Sequence, residues 1–280
     1  MRILLAIITA LLLSPATARA QQFREGDTVP VSPDRGYVLM RLPERSYNVL
    51  LMRYLTPEQL DKFDAARRAA FEAAKPKADA DRAKIIADNA KGGTKKVPDE
   101  LTLDTFVFRY DMMANVLIIK AKYPFATDTT GKSHLFGLPP GTYAIIGMSF
   151  TGGGEHMNSC ACMGSVKFEV KPGRITDMGL VLTGTVGAPV EYPELANYTG
   201  KTIVHPPQPV PGAIGLRPYD PAMPRPTTLP ALPIEVADYR AQGRIPNFFY
   251  SMITRMAPVK GVLDYKLDKI IDVKSGEEVP

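Results

Sequence analysis

The alternation of apolar and polar positions predicts strands along the first two thirds of the chain. Ser165–Val170 alternates most clearly, with its valine and phenylalanine side chains on one face of a pleated strand. Pro172-Gly173 suits a type II turn, because proline fixes the first φ and glycine accepts the positive second φ. A returning strand then covers Ile175–Thr183. Other strand-like runs are Gly36–Leu42, Tyr47–Leu55, Leu101–Tyr110, Asn115–Tyr123 and Thr142–Phe150. About eight such strands are enough for a two-sheet antiparallel β-sandwich domain at residues 36–185.

The hydrophobic period changes to a helical one after Thr56. Thr56-Pro57-Glu58-Gln59 has the composition of a capped helix start, and Pro76 is predicted to end that first helix. A second helix is predicted over Ala78–Ala90, with Gly92-Gly93 as its stop. The pattern therefore predicts a helical hairpin inserted at residues 57–93. Its mixed charges fit a solvated insertion, and the alternative is an arm that docks a partner through Phe63 and Phe71.

The last third of the chain combines a proline-rich segment with an apolar end. Ten prolines fall between Lys201 and Pro233, which predicts an extended or polyproline-like linker or wrapping segment at residues 186–245. Residues 246–280 are apolar enough to be docked on the domain. Helical spacing predicts a helix over Asn247–Met256, and a final strand pair is predicted at Gly261–Tyr265 and Lys269–Val273.

The first residues have the composition of an export signal. Arg2 precedes an apolar run, Ile3–Leu13, and Ala18-Arg19-Ala20 offers small residues for cleavage after Ala20. Eleven residues rise only about 16 Å as a helix, roughly half of a bilayer core. We therefore expect a signal peptide at residues 1–20, an extended arm at 21–35, no membrane span after cleavage, and a periplasmic or secreted protein.

Charge and motifs exclude several functions. A net charge of +5, spread evenly, is too small to indicate nucleic-acid binding and permits only weak attraction to anionic envelope surfaces. Gly131-Lys132-Ser133 lacks the earlier glycine of a phosphate-binding loop. Thr151 stands where a nucleophile elbow around Ser149 needs its closing glycine. The sequence thus predicts no catalytic residue.

The candidate chemistry lies in the segment that holds both cysteines. Residues two apart in a strand share a face, so Cys160 and Cys162 with His156 could bind a soft ion such as Cu(I). If one strand runs unbroken over Ser159–Val170, both cysteines instead point into the core. They could also form a disulfide with each other, which would be strained in an extended strand, or bridge two molecules. A bulge at Gly164 would shift the alternation by one residue, so the cysteines would no longer share the face of Val166, Phe168 and Val170.

Two motifs carry a family resemblance. Leu138–Ile145 resembles the L-P-x-G-x-Y strand entry of transthyretin-like modules, which include carboxypeptidase regulatory-like, Cna B-type and DUF2846-type domains. Phe168–Gly173 and then Asp177–Gly179 are similar to the strand that follows in those modules. The likeness covers Leu138–Leu182 and implies a transthyretin-like antiparallel β-sandwich without a catalytic residue.

The whole chain also resembles a group of exported alphaproteobacterial proteins, in its Cys-Met-Gly stretch and in Met256–Leu263. This second likeness implies no activity. The sequence therefore predicts a mainly β, non-enzymatic envelope protein without a cofactor. It would act as a binding or assembly module for other envelope proteins or cell-wall material. The alternative is a periplasmic copper-ion binder that uses the cysteine cluster.

Overall fold

The computed structural model describes most of the chain in two compact units. Described are residues 20–44, 46–106, 108, 115–128, 131–152, 155–186, 192–195, 210–219, 223–247 and 251–280. The predicted signal peptide lies outside these residues except for Ala20. One unit, here called the β unit, runs to Arg53 and resumes at Leu117; the other, the insertion unit, is Tyr54–Val116.

Strands make up most of the described secondary structure. They are β1 Gln21–Phe23, β2 Gly36–Leu42, β3 Asn48–Arg53, β4 Val116–Ile119, β5 Ala126–Asp128, β6 Gly131–Leu138, β7 Gly141–Gly152, β8 Glu155–Cys160, β9 Ser165–Val170, β10 Ile175–Val186, β11 Val210–Arg217, β12 Ile234–Val236, β13 Arg240–Gln242, β14 Met252–Ile253, β15 Leu263–Lys266, β16 Lys269–Asp272 and β17 Glu277–Val279. A short 3-10 helix covers Pro193–Leu195. The prediction of a mainly β protein is confirmed.

The strands form three sheets. The first sheet has the order β1-β6-β2-β10-β11, with β5 also paired to β6 and β12 also paired to β10. The second sheet has the order β13-β9-β7-β3-β4, with β8 on β7 and β14 on β8. The third sheet is the antiparallel meander β15-β16-β17. β10 runs parallel to β2 and β12 but antiparallel to β11.

The main apolar cluster contains side chains from both large sheets. Members from the first sheet include Val38, Met40, Phe136 and Leu138, and members from the second include Val49, Leu51, Ile145, Phe168 and Val170. These side chains are almost completely buried. Each contributes about 1.5–3 kcal/mol relative to exposure, so this shared cluster is the principal source of stability.

A second apolar cluster lies on the opposite face of β2. Tyr37 and Leu39 alternate with the core residues of that strand and contact Phe23, Leu135 and Ile175. Leu229, Leu232 and Ile234, from the proline-rich segment, pack against this cluster. The described parts of residues 186–245 thus cover the first sheet and supply β11, β12 and β13. In the predicted arm, Gln21–Phe23 forms β1 and buries Phe23.

The predicted helical hairpin is wrong, because one helix, α1, spans Pro57–Asn89 with Pro76 inside it. Its start is as predicted: Thr56 Oγ1 accepts from the Gln59 amide at 3.3 Å, and Gln59 Oε1 accepts from the Thr56 amide at 3.0 Å. Proline at a helix interior removes one hydrogen bond, but the alanine- and lysine-rich residues on both sides favour helix and offer no turn. No described helix is long and apolar enough to cross a membrane.

The described residues 101–106 are turns and extended chain, so the predicted strand at Leu101–Tyr110 does not form in that stretch; residues 107, 109 and 110 lie outside the described residues. Phe63 contacts Phe108, and Phe71 contacts Phe106, each at 5.7 Å between ring centroids. Arg67 also donates to the Leu103 carbonyl at 2.5 Å. The two phenylalanines suggested for partner docking therefore contact rings of their own unit.

The predicted helix over Asn247–Met256 is also wrong within the described residues. Met252–Ile253 forms β14, parallel to β8. The Thr254 amide donates to the Cys160 carbonyl at 2.7 Å, and the Met256 amide donates to the Gly164 carbonyl at 2.9 Å. Backbone donors committed to other strands cannot make helical bonds, and the β-branched Ile253-Thr254 pair favours this extended path.

Candidate functional site

Cys160 is the last residue of β8 and Cys162 lies in the turn that follows it, here called the disulfide turn. β8 ends at Cys160 and β9 begins at Ser165, so of the alternatives considered the unbroken strand over Ser159–Val170 does not form. Gly164 has φ +127, a conformation that side chains rarely adopt, and it lies within this connection. The alternation argument from Val166 back to the cysteines therefore fails, although both cysteines are buried.

Cys160 and Cys162 are joined by a disulfide, and their Cα atoms are 5.0 Å apart. Extended residues two apart are separated by almost 7 Å, near the upper limit for a bridge. The turn shortens this distance to an ordinary value. The strain expected for a bridge within a strand thus does not apply to this geometry.

The disulfide turn is also the attachment point of the C-terminal segment. The Cys160 carbonyl accepts from the Thr254 amide at 2.7 Å and from its hydroxyl at 3.0 Å. The Cys162 carbonyl accepts from the Ile245 amide at 2.9 Å, and the Met163 amide donates to Thr254 at 3.0 Å. Cys160, Cys162 and Met163 thus hold two separate stretches of the later chain through backbone hydrogen bonds.

His156, the third predicted metal ligand, lies on the same strand as Cys160, near the opposite end of β8. His156 lies on β8, opposite Thr151 and four residues before Cys160, which is about 13 Å along a strand. Sulfurs in a disulfide are not thiolates, so copper binding at Cys160 and Cys162 would first require reduction. Among the described residues, no group of three His, Cys, Asp or Glu side chains could hold a metal ion.

A buried ionic network that sequence reasoning missed lies on the first sheet. The Asp177 carboxylate of β10 is fully buried and accepts two hydrogen bonds from Arg41 of β2. Arg41 Nη1 donates to Oδ1 at 2.9 Å, and Nη2 donates to Oδ2 at 3.3 Å. Arg225 Nε donates to Oδ2 at 3.0 Å, and the Gly179 amide donates to Oδ1 at 3.1 Å. Four donors therefore satisfy one carboxylate.

This network fastens the proline-rich segment to the sheet. Arg41 Nε also donates to the Pro224 carbonyl at 3.2 Å. The Tyr219 ring lies 4.3 Å from the Arg225 guanidinium carbon and 5.6 Å from that of Arg41. The sequence does contain one indication of this network, namely the charged residue Arg41 within the apolar run Gly36–Leu42. Buried strands rarely carry an unpaired charge, so a partner for Arg41 could have been expected.

A second cluster surrounds the β6–β7 turn, residues 137–141, and together with Arg35 and Arg53 it is here called the arginine turn. Arg35 Nη2 donates to the Gly137 carbonyl at 3.3 Å, and Arg53 Nη2 donates to the Pro140 carbonyl at 2.8 Å. Between them, the Tyr143 hydroxyl donates to the Pro139 carbonyl at 2.8 Å. Three carbonyls of one short turn therefore bind two cations and a phenol.

Electrostatics at the arginine turn reflect this geometry. Burial raises the pKa of Tyr143 to about 12, and the positive charges of Arg53 and Arg35 oppose that rise. Arg53 Nε is buried and has no hydrogen-bond acceptor. Gly141, at φ +144, leaves space for the guanidinium, because a Cβ there would lie 3.2 Å from Nε. The L-P-x-G-x-Y motif had indicated this turn but not the two arginines.

His134 of β6 is a buried titratable group outside both clusters. Its Nδ1 lies 3.5 Å from Gln22 Nε2, and its Nε2 is buried without a partner. Burial lowers its pKa to about 4, with a smaller contribution from the charge of Lys132. The ring is therefore neutral at physiological pH.

The comparisons with known proteins found no matching family model, no matching curated protein and no matching solved structure.

Proposed function

We propose that this chain is an exported, non-enzymatic protein of the bacterial envelope that acts as a binding or assembly module. After removal of the signal peptide it would occupy the periplasm or be secreted. Its partners would be other envelope proteins or cell-wall material. Its two large sheets would form a transthyretin-like β-sandwich, which supports this role because such domains present loops and edges to partners.

Two observations support the sandwich. The main apolar cluster takes side chains from both large sheets, as expected for sheets packed face to face. The segment that resembles the transthyretin-like strand entry, Leu138–Ile145, forms the β6–β7 turn and the start of β7. β6 and β7 lie in different sheets, so this turn connects the two large sheets.

The proposed binding role is supported by features of the insertion unit. β3 and β4 are neighbours in the second sheet, yet residues 54–115 separate them in the chain. None of the 33 side chains of α1 is buried, so the helix contributes little to a core. A helix of this length extends about 50 Å and supplies surface for contact.

The exposed apolar residues of α1 provide the experiment. Leu60 and Ile86 are 47% and 44% exposed, and we expect the double variant Leu60→Ser/Ile86→Ser to weaken partner binding at least tenfold. Purified murein sacculi and solubilised envelope proteins, each immobilised, would serve as probes. Leu267→Ser is the matched control, because this side chain is 94% exposed on the β unit.

Three results would contradict the proposal. The first is that the unaltered protein binds neither probe. The second is that Leu267→Ser weakens binding as much as the helix variant. The third is turnover of an ester or peptide substrate by the purified protein.

Mass spectrometry of the exported protein tests the localisation separately, because cleavage after Ala20 leaves Gln21 as the first residue.

A further inference from the structure

We propose that β1 is an acid-releasable strand, and that protonation of His134 undocks it from β6 while the rest of the β unit stays folded. The device lies within the β unit and is independent of the function proposed above. Its stimulus is a fall in pH, and its result is an open edge on the first sheet.

β1 and β5 share the outer edge of β6 and leave His134 between them. β1 pairs with residues 135–137 of β6, and β5 pairs with residues 131–133. On its other side β6 pairs with β2. His134 is fully buried, although neither short strand pairs with it. An edge strand that leaves β6 would therefore open a path for water to this ring.

Gln22 of β1 contacts His134 through its side-chain amide. Gln22 Nε2 donates to the Tyr123 carbonyl at 2.7 Å and to the Lys120 carbonyl at 3.2 Å. These two acceptors fix which end of the amide is nitrogen, because a carbonyl cannot accept from an amide oxygen. The same nitrogen lies 3.5 Å from His134 Nδ1. A donor therefore faces Nδ1, and this contact requires a ring without a proton on Nδ1.

Protonation of His134 would turn this contact into one between two donors. Both ring nitrogens of an imidazolium carry hydrogens, and the Gln22 amide nitrogen offers no acceptor. Burial lowers the pKa of His134 to about 4, and the Tyr123 carbonyl opposes this fall because it can accept from the protonated ring. The charged ring and Gln22 would thus compete for one carbonyl.

The groups that pack on His134 are uncharged. β1 presents Gln22, β2 presents Met40 as the register partner, and β6 presents Phe136, whose ring stacks at 6.5 Å between centroids. The connection between β4 and β5, residues 120–125, presents main-chain carbonyls at this point. These groups supply hydrogen-bond acceptors for an imidazolium but no negative charge.

The charged side chains of the same elements are all cations. They are Arg41 of β2, Lys132 of β6, and Lys120 and Lys122 of the connection. The charge of Lys132 opposes protonation of the ring, and no carboxylate of the described residues pairs with His134. A buried charge without a counter-ion is very costly, so the protonated ring favours a state that admits water.

β1 is followed by an exposed stretch, so it can leave β6 without unfolding β2. Phe23 is its buried anchor in the second apolar cluster. Residues 24–28 are exposed. The next anchor is Pro30, whose carbonyl accepts from the Tyr37 hydroxyl at 2.5 Å. Residues 21–28 can therefore move as one piece and leave the chain from Pro30 onward in place.

The experiment measures amide hydrogen exchange of the mature full chain and of His134→Phe at pH 7.5 and pH 5. The probe is the Glu25 amide, which donates to the Pro124 carbonyl at 3.1 Å when β1 is docked. The docked ring has a pKa of about 4 and the released ring the ordinary 6.5, so the ratio of released to docked protein should rise about 30-fold at pH 5. In His134→Phe this rise should be absent, and comparison at each pH cancels the intrinsic pH dependence of exchange.

Urea separates release of β1 from global unfolding. Release exposes little surface, so exchange at the Glu25 amide should be nearly independent of urea below the unfolding transition. The Ala161 amide, which donates to the Ile146 carbonyl at 2.8 Å in the core, reports global unfolding. Equal opening free energies and equal urea dependence at the two amides would overturn the proposal. An opening ratio in the unaltered protein that is the same at both pH values, relative to His134→Phe, would also overturn it.

Gln22→Ala tests the contact between the two side chains. It admits water to His134 in the docked state, so the pH dependence of release should shrink to less than about threefold. Gln21→Ala is the matched control, because this neighbouring side chain bonds to Arg35 Nη1 at 3.2 Å and lies on the opposite face of β1. It should keep the full pH dependence, and equal dependence in the two variants would contradict the role of Gln22.

A measurement on the unaltered protein covers the case in which a variant fails to fold. The ring resonances of His134 and Phe23 should shift with the same midpoint as pH is lowered, because one event moves both residues. A Phe23 resonance that stays constant through the titration of His134 would overturn the proposal.

Discussion

Asp177 and Arg41 form a two-point ion pair between adjacent parallel strands of the first sheet, and both side chains are almost fully buried. Burying two charges is costly unless every lone pair and proton finds a partner. Here the Gly179 amide and Arg225 Nε also donate to the carboxylate, and the Pro224 carbonyl accepts from Arg41 Nε. The pair therefore holds β2, β10 and the proline-rich segment together.

Removing the carboxylate should be strongly destabilising. Asp177→Ala leaves Arg41 buried without its counter-ion, and we expect a loss of about 3–5 kcal/mol in the free energy of unfolding, measured with urea. Glu278→Gln is the control, because its pair with Lys269 is about half exposed on both sides and should contribute less than about 1 kcal/mol. Similar losses in the two variants would contradict the structural role assigned to Asp177.

Strands with a regular pattern were predictable from the sequence. The bounds predicted for β2 and β9 agree with the structure, and Gly173 has φ +66, as a type II turn requires. In these stretches the local composition and the tertiary environment favour the same conformation. Alternation is then enough to assign the buried face.

Other elements depended on contacts that no local pattern reveals. Pro76 usually ends a helix, but its neighbours maintain α1 on both sides. Met252 and Met256 have helical spacing, yet the disulfide turn accepts the backbone hydrogen bonds of that segment. The Asp177 network joins residues 41, 177 and 225, so only the tertiary fold brings its charges together.

Reduction of the disulfide should loosen the C-terminal segment. The bridge closes a loop of only three residues, for which the entropic stabilisation is about 1.5 kcal/mol. The larger effect should be local, since Cys160 and Cys162 accept hydrogen bonds from Thr254 and Ile245. We expect faster hydrogen exchange at these two amides in Cys160→Ser/Cys162→Ser than in the oxidised protein.

Amides of the third sheet serve as the internal control for that measurement. The Ile270 and Val279 pairing is remote in sequence from the disulfide, and its exchange should change much less. Uniformly faster exchange throughout the β unit would indicate global destabilisation and would contradict a local role of the turn.

Acid should destabilise the protein through His134. The folded-state pKa, about 4, is lower than the ordinary 6.5, so the unfolded chain takes up a proton at higher pH than the folded protein does. Stability due to the neutral ring is fully present above pH 6.5 and is lost as pH falls towards 4. The expected loss is about 3 kcal/mol once the pH is below 4.

His134→Phe isolates this effect, because it retains a ring that cannot be protonated. Carboxylates also titrate in this range, so the relevant quantity is the difference in unfolding free energy between the two proteins at each pH. That difference should change steadily between pH 6.5 and 4 in favour of the variant. A difference that is independent of pH would exclude His134 as the titrating group.

Pro76 should limit the stability of α1. It lacks the amide that would donate to the carbonyl four residues earlier, and proline inside a helix costs about 3 kcal/mol relative to alanine. Pro76→Ala should therefore raise the melting temperature of the helical circular dichroism signal and slow exchange of neighbouring helix amides. Lys77→Ala is the control, since it changes a neighbouring position by only a few tenths of a kcal/mol. Equal effects of the two variants would show that Pro76 does not destabilise α1 relative to alanine.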